Sequence, residues 1–550
     1  MPPDVLRIVI EESVPVLTRV NFSRWRILLS NRILHLHGKK LSPVSVLNSS
    51  AMDTSCALLF LVAVLSVVYY YLKWPYTHWK KQKVKCVPGT IPAFGHLLPI
   101  LFSRESSSDL FTKVYRDYEK SSMVGMYFFR TPALLVREPE LVKRVLVSDF
   151  QSFQNNLLLL NPKMDPFMSK NPFFCWDEDW KAMRSQMINN MSQKKLKIFF
   201  GIMHRVSDKF DDYLSKQVGK AADFEVEIKY VILRLTGELV ANTAFGIEGG
   251  GFESEISPHS FTGRVENMLK PTFTTIYRQM LVLYLPEFAS ALGLGFLTNS
   301  LDSFLISTVD NIMRHRKEQG LVVDDLLQMI IEASDDLDPK VVAGKLSGYY
   351  FDAYETAATI ASFACFELSH NSQAQDKARS EIKEILDKYE GTLSYEALKD
   401  MKYLEQVIHE TIRLYPILGA AYKVCTRKIT LEGSDGQSCC LDPGNIVVVP
   451  ILGLHTDNEY WENPHNFDPD RFNEEKKNVT KFSFLPFSEG PRMCAGMRYG
   501  IMTVKTILVT IIKSYTIETS PKTSRPPKLE TGSVLTLPAE GLYVKLKRIG

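Results

Sequence analysis

The chain has 550 residues, 45% of them hydrophobic, and its 65 Lys and Arg against 62 Asp and Glu leave a net charge of +3. That near-balance excludes the basic footprint of a nucleic-acid binder, while the apolar content is ample for a large buried core. Eight cysteines without metal-finger spacing, in a chain too large to need disulfide staples, fit free thiols in a reducing compartment.

From Ser13 to Met52 there is no acidic residue, while Arg19, Arg24, Arg26, Arg32, Lys39 and Lys40 accumulate. Residues 1–51 therefore read as a basic extension, disordered or upstream of a usual start at Met52; a mitochondrial presequence is the rival. Residues 54–72 carry no charge. A helix over them rises about 28 Å, close to a bilayer's hydrocarbon thickness. Tyr69, Tyr70, Tyr71 and Trp74 suit an interfacial belt, and Lys73, Lys80, Lys81, Lys83 and Lys85 put the following body in the cytosol by the positive-inside rule. A cleaved signal peptide is the alternative, but no small-residue cleavage site follows. Residues 73–95, basic and containing Val87-Pro-Gly-Thr-Ile-Pro-Ala-Phe-Gly95, read as a stiff hinge into a body spanning 96–550.

Strand patterns lie at 124–128, 133–136, 446–449 and in a C-terminal pair, 534–537 and 542–546; most of the rest has helical period. Trp180-Lys-Ala-Met-Arg184 sets an indole and a guanidinium one helical turn apart. Asp338-Pro339 looks like a helix start, and the helix it opens should run roughly thirty residues, to about Ser369, largely buried. In its middle stands Phe351-Asp-Ala-Tyr-Glu355-Thr356. A hydroxyl beside a carboxylate, Thr356 beside Glu355, suits delivery of protons into a dry pocket. The plain alternative is a Thr356 hydroxyl bonded to its own helix backbone. Asp352 either puts a carboxylate on the pocket wall, favouring a cationic or hydrogen-bonding substrate, or turns away and pairs elsewhere.

Glu410 and Arg413 project from one face of a helix that ends before Pro416. Tyr422-Lys423-Val-Cys-Thr and Phe467-Asp-Pro-Asp-Arg471-Phe472 follow. Then comes Phe487-Ser-Glu-Gly490-Pro-Arg492-Met-Cys494-Ala-Gly496. Glycines around a cysteine leave backbone N–H groups free to point at sulfur, and a guanidinium nearby recognises carboxylates. A thiolate on haem iron needs this setting. A buried structural cysteine in a turn is the other reading.

Taken together, these motifs resemble those of the cytochrome P-450 family over about residues 75–550. The cysteine loop matches F-x-x-G-x-R-x-C-x-G at every fixed position. The segment 351–356 resembles A-G-x-[DE]-T-T, with Asp352 and Ala353 replacing the usual Ala and Gly. Glu410, Arg413 and Arg471 resemble the E-x-x-R and P-E-R-F elements that brace the haem loop. The resemblance implies a mainly α fold with a small β subdomain behind an N-terminal transmembrane helix. It implies haem b as cofactor, with Cys494 as the metal ligand. Trp180, Arg184, Arg492 and Phe487 would bind the cofactor, as would Lys423, where many members carry arginine. Thr356 and Glu355 would be catalytic. Stretches 149–155 and 397–404 resemble insect members of the branch that handles foreign compounds.

The implied activity is a monooxygenase of the endoplasmic reticulum membrane, with its catalytic domain cytosolic; a mitochondrial location is the alternative. It would insert one oxygen atom from dioxygen into an apolar small molecule, a xenobiotic or an endogenous lipid or hormone. Electrons would come from NADPH through NADPH–cytochrome reductase, with cytochrome b5 as an optional second donor. Lys181, Lys194, Lys195, Lys197, Lys476, Lys477 and Lys481 would form a basic docking face. Two alternatives stand: a reductase-independent isomerase or dehydratase of the same fold, and a haem-binding carrier or sensor without turnover. Candidate pocket walls are Phe173, Phe174, 349–352 and 417–420.

Overall fold

The structure, a computed structural model, describes residues 43–219, 224–269, 272–333, 338–475 and 479–549. It divides into two units, Met1–Tyr71 and Leu72–Gly550. Helix α1, Pro43–Lys73, begins ahead of Met52 with a proline at its first position, where no N–H is needed. The remainder of the expected basic extension, residues 1–42, lies outside the described residues. The stretch Leu58–Lys81 has a mean hydropathy of 1.6, and none of its apolar window is buried. Apolar side chains on all sides of a helix, exposed as Leu59 and Phe60 are, suit lipid as their surroundings.

The second unit starts with a folded connection. Trp79 is fully buried against the sheet and donates its indole N–H to the Met126 carbonyl at 2.7 Å. The Tyr76 hydroxyl reaches the Phe129 carbonyl at 3.0 Å. Beyond it run β1 (Met123–Phe128), β2 (Thr131–Val136), β3 (Asn155–Asn156), α2 (Asp177–Asn189), α3 (Gln193–Val218), β4 (Phe224–Glu227) and α4 (Ile228–Val240). Further on come α5 (Pro339–His370), α6 (Lys402–Leu414), β5 (Ala421–Val424), β6 (Ile429–Glu432), β7 (Ser438–Leu441) and β8 (Ile446–Val449). The chain closes with α7 (Met497–Ser514), β9 (Tyr515–Thr519) and β10 (Tyr543–Arg548).

The axis of the helical part is α5, 32 residues long, started by Asp338, whose side chain accepts the Lys340 N–H. It is apolar on most faces and is packed by α4, α6, α7 and the helix Asn299–Gln319, which together make the larger core. A second core surrounds a five-stranded sheet of order β1-β2-β8-β5-β3, in which only β2 and β8 run parallel. The β3–β5 register sets Asn156 opposite Lys423, a pairing that matters below.

One expected strand is a correction. Residues 534–537 form no strand; β10 pairs instead with β9 and β4. The Thr536 N–H and hydroxyl are spent on the carbonyls of Ile417 and Pro416, and Pro538 has no N–H to extend a ladder. The segment thereby becomes a wall of the cavity described next.

A packing prediction follows from Gly125 in β1, where an added Cβ would stand 2.5 Å from the Trp79 ring. Gly125→Ala should cost about 1–3 kcal/mol. Calorimetric melting checks this, and an unchanged midpoint would mean that Trp79 can yield.

Candidate active site

The loop that carries Cys494 is shaped by Gly490, whose φ is +75° and whose missing Cβ would meet the Leu146 carbonyl oxygen at 2.1 Å. Two facts, backbone and space, thus require glycine there. The Cys494 N–H donates to the Phe487 carbonyl at 2.9 Å, closing the loop. The sulfur accepts the Gly496 N–H and sits at the start of α7, near the positive end of that helix. Burial pushes the thiol pKa up; the Gly496 N–H and the charge of Arg184 pull the other way, and the charge of Asp352 adds to the rise. A thiolate here therefore calls for a cationic partner at sulfur, as a metal ion would be.

A cavity of about 850 Å³ brings the scattered motif residues together. Cys494, Phe487, Thr356, Glu355, Asp352, Trp180, Arg184, Lys423 and Arg492 all border it. Its apolar walls include Phe173, Phe174, Phe351, Ile417 and Leu418. Tyr350, expected among them, is buried behind in the aromatic cluster with Phe245 and Phe261.

Three cations in this cavity lack a counter-ion. Among the described residues, Arg184, Lys423 and Arg492 form no ion pair. Arg184 Nε is buried without any partner. Lys423 donates to Asn156 Oδ1 at 2.8 Å, and burial, helped by the charge of Arg492, pushes its pKa down to about 7. Arg492 lies over the Trp180 ring at 4.2 Å and donates to the carbonyls of Gln154, Pro172 and Cys175 and to Asn155 Oδ1. Burial lowers its pKa to about 10. Four of its five N–H groups are engaged, so it braces the loop and keeps one donor for a ligand. Cations buried or half-buried with no carboxylate ask for an anion. A haem with two propionates fits this donor set, with the sulfur of Cys494 on the iron.

Residues 154–156 hold the parts in register. The Asp177 carboxylate, at the head of α2, accepts from the side chains of Gln154 and Asn155, which fixes the helix carrying Trp180 and Arg184. Asn156 also donates to the Phe173 carbonyl. Sequence reasoning missed this hub. Its only trace was the stretch 149–155, noted for resemblance alone.

On α5 the Thr356 hydroxyl donates to the Asp352 carbonyl at 2.5 Å. Its proton is spent on the helix, as the plain reading held, and it must leave that carbonyl before it can be passed on. Glu355 lies 2.5 Å from Lys229 Nζ on α4 and accepts from the Thr359 hydroxyl at 3.3 Å. Lys229 carried no motif. Asp352 does not turn away: it borders the cavity and accepts there from Asn171 Nδ2 at 2.9 Å, Asn171 being another of the lining residues. Burial raises its pKa to about 6.

Behind the loop, Glu410 and Arg413 have no solvent-exposed side-chain surface. All five Arg413 N–H groups are used, on both Glu410 oxygens and on the carbonyls of His455, Pro464 and Asn466. Glu410 Oε1 also accepts from the Asp468 N–H and Arg471 Nε. His455 extends the network: Nδ1 donates to the Arg413 carbonyl at 3.2 Å and Nε2 accepts the Leu485 N–H at 2.9 Å. Both roles require a neutral ring, and burial pushes its pKa down to about 3. A lone histidine gave no signal in the sequence. On the expected basic face, Lys181 pairs with Glu178 and Lys197 with Glu396, while Lys476 and Lys477 lie outside the described residues.

Two outcomes are expected. Arg413→Ala leaves Glu410 buried and uncompensated, so unfolding in urea should show a loss of about 3–5 kcal/mol together with poor haem retention. At pH 8, Lys423 is mostly neutral until an anion reaches it, and a propionate raises its pKa again. Haem loading of the parent should therefore take up more protons than loading of Lys423→Arg, which is always charged, and parent affinity should fall as pH rises above about 7. Calorimetry in two buffers of different ionisation enthalpy measures the difference; equal uptake would separate Lys423 from the propionates.

A sequence profile described as Cytochrome P450 matches residues 87–546. Among similar curated proteins, "Probable cytochrome P450 6d5" of Drosophila melanogaster is 29% identical over 486 residues, covering 83% of this chain and 93% of the relative. "Cytochrome P450 6l1" of Blattella germanica is 28% identical, covering 85% of this chain and 92% of the relative. "Cytochrome P450 6B7" of Helicoverpa armigera is likewise 28% identical, with 89% and 98% covered.

Proposed function

The chain belongs to the cytochrome P450 family of haem-thiolate monooxygenases, and on that premise we propose that it oxidises an apolar small molecule with electrons from NADPH passed on by a flavin reductase. The substrate class is a foreign compound or an endogenous lipid or hormone. One observation carries the reading: a lone thiol and three uncompensated cations open onto the same apolar-walled cavity. When bound, haem b supplies the activation of dioxygen, favoured by electron density from the thiolate.

The roles of the residues follow from what each can offer. Cys494, held by the Gly496 N–H and the closed loop, would bind the iron through its sulfur. Arg184, Lys423, the Trp180 indole and the last Arg492 donor would receive the propionates, and Phe487 would pack against the cofactor. Glu355, held at the cavity edge by the ammonium of Lys229, takes up protons and hands them on. Thr356 relays them once its hydroxyl turns from the Asp352 carbonyl. Phe173, Phe174 and Phe351 keep water from the reacting region.

The apolar α1 and the lysines after it support an endoplasmic reticulum anchor with the catalytic unit in the cytosol. Lys194, Lys195 and Lys481 remain candidates for contact with an acidic reductase or cytochrome b5, by electrostatic steering.

Reconstitution with reductase tests the reading. NADPH consumption should be coupled to oxygenated product, and Thr356→Ala should lower product per NADPH about tenfold or more while consumption continues. Turnover at the same rate without reductase would instead establish an isomerase or dehydratase.

A further inference from the structure

We propose that Asp352 anchors a protonated amine, so that the cavity selects organic cations with an apolar body. The inference rests on the reading that this cavity receives the substrate. Asp352 lies midway along α5 and borders the cavity. One carboxylate oxygen accepts from Asn171 Nδ2 at 2.9 Å. That amide cannot turn over, because its own oxygen accepts the Phe173 N–H at 2.8 Å. The second oxygen bonds no described residue.

No charge in the cavity answers this carboxylate. Among the described residues Asp352 forms no ion pair; of the cavity's cations, Arg184 is assigned to a propionate and the other three are held elsewhere. Lys229 holds Glu355, Lys423 bonds Asn156, and Arg492 bonds backbone carbonyls. Tyr349, one turn away on α5, has its phenol pushed up to about 12 by burial, with the charge of Asp352 adding, so it stays neutral. A carboxylate enclosed among Phe173, Phe351 and other apolar walls is costly unless a cation reaches it. Those aromatic rings also favour an ammonium. A ligand held here would carry its charge at Asp352 and its apolar part along the walls.

The competing role is a mere latch between Asn171 and α5. Asp352→Asn separates the two, since its amide oxygen accepts from Asn171 as the carboxylate does but carries no charge. The probes are benzyltrimethylammonium, whose quaternary nitrogen cannot ligate iron, and its carbon isostere neopentylbenzene. Binding to the haem-loaded full chain is measured by equilibrium dialysis and by the shift of the haem absorption band. The parent should bind the ammonium at least about tenfold tighter than the isostere. D352N should lose that preference while binding the isostere within about twofold of the parent, and D352E should keep the preference. Equal ammonium affinity in the parent and D352N overturns the anchor, as does failure of the parent to bind the ammonium. If the isostere also fails to bind and reductase drives no NADPH turnover, the monooxygenase reading falls with it.

Discussion

A carboxylate and a guanidinium shut away from water, as Glu410 and Arg413 are, persist only if each remaining proton and lone pair finds a partner. Here all five guanidinium protons and both carboxylate oxygens do, and beyond the pair the partners are backbone groups of residues 455–468 and the Arg471 side chain. The demand of one ion pair therefore fixes a long irregular stretch that has almost no regular secondary structure of its own. His455 hands that order on to Leu485, nine residues before the cysteine. The position of the sulfur is the far end of this chain of satisfied groups.

The cavity has opposed electrostatic ends. Buried Lys423 and half-buried Arg184 and Arg492 are cations seeking anions; Asp352, facing the cavity, is an anion seeking a cation. Lys423 and Asp352 are each tied by a neutral amide instead of by one another, Asn156 to Lys423 and Asn171 to Asp352. Amides hold charged groups in place without cancelling them. The same economy appears at Glu355, except that Lys229 there supplies a full opposite charge.

What the sequence made legible was local. Cys494 with its glycines, Glu410 with Arg413, Trp180 with Arg184 and the capped start of α5 all lie within a few residues of one another, where spacing alone sets geometry. Their shared purpose came from the family resemblance. The contacts that tie them together join distant positions: Asn156 with Lys423, Lys229 with Glu355, His455 with Leu485. Such pairs leave no periodic trace. Residues 534–537 show the same limit from the other side, since alternation suggested a strand without telling which backbone would claim its N–H groups.

Arg492 and Arg413 grip their surroundings largely through main-chain carbonyls, among them those of Pro172, Cys175, Pro464 and Asn466. A carbonyl oxygen is the same whatever side chain its residue bears. Phe173 and Phe174, which line the cavity, lie between two such gripped carbonyls. Their side chains are open to replacement during divergence while the frame that seats the cofactor keeps its bonds. The architecture separates what must be held from what must be recognised, and so allows the range of accepted molecules to drift without loss of the chemistry.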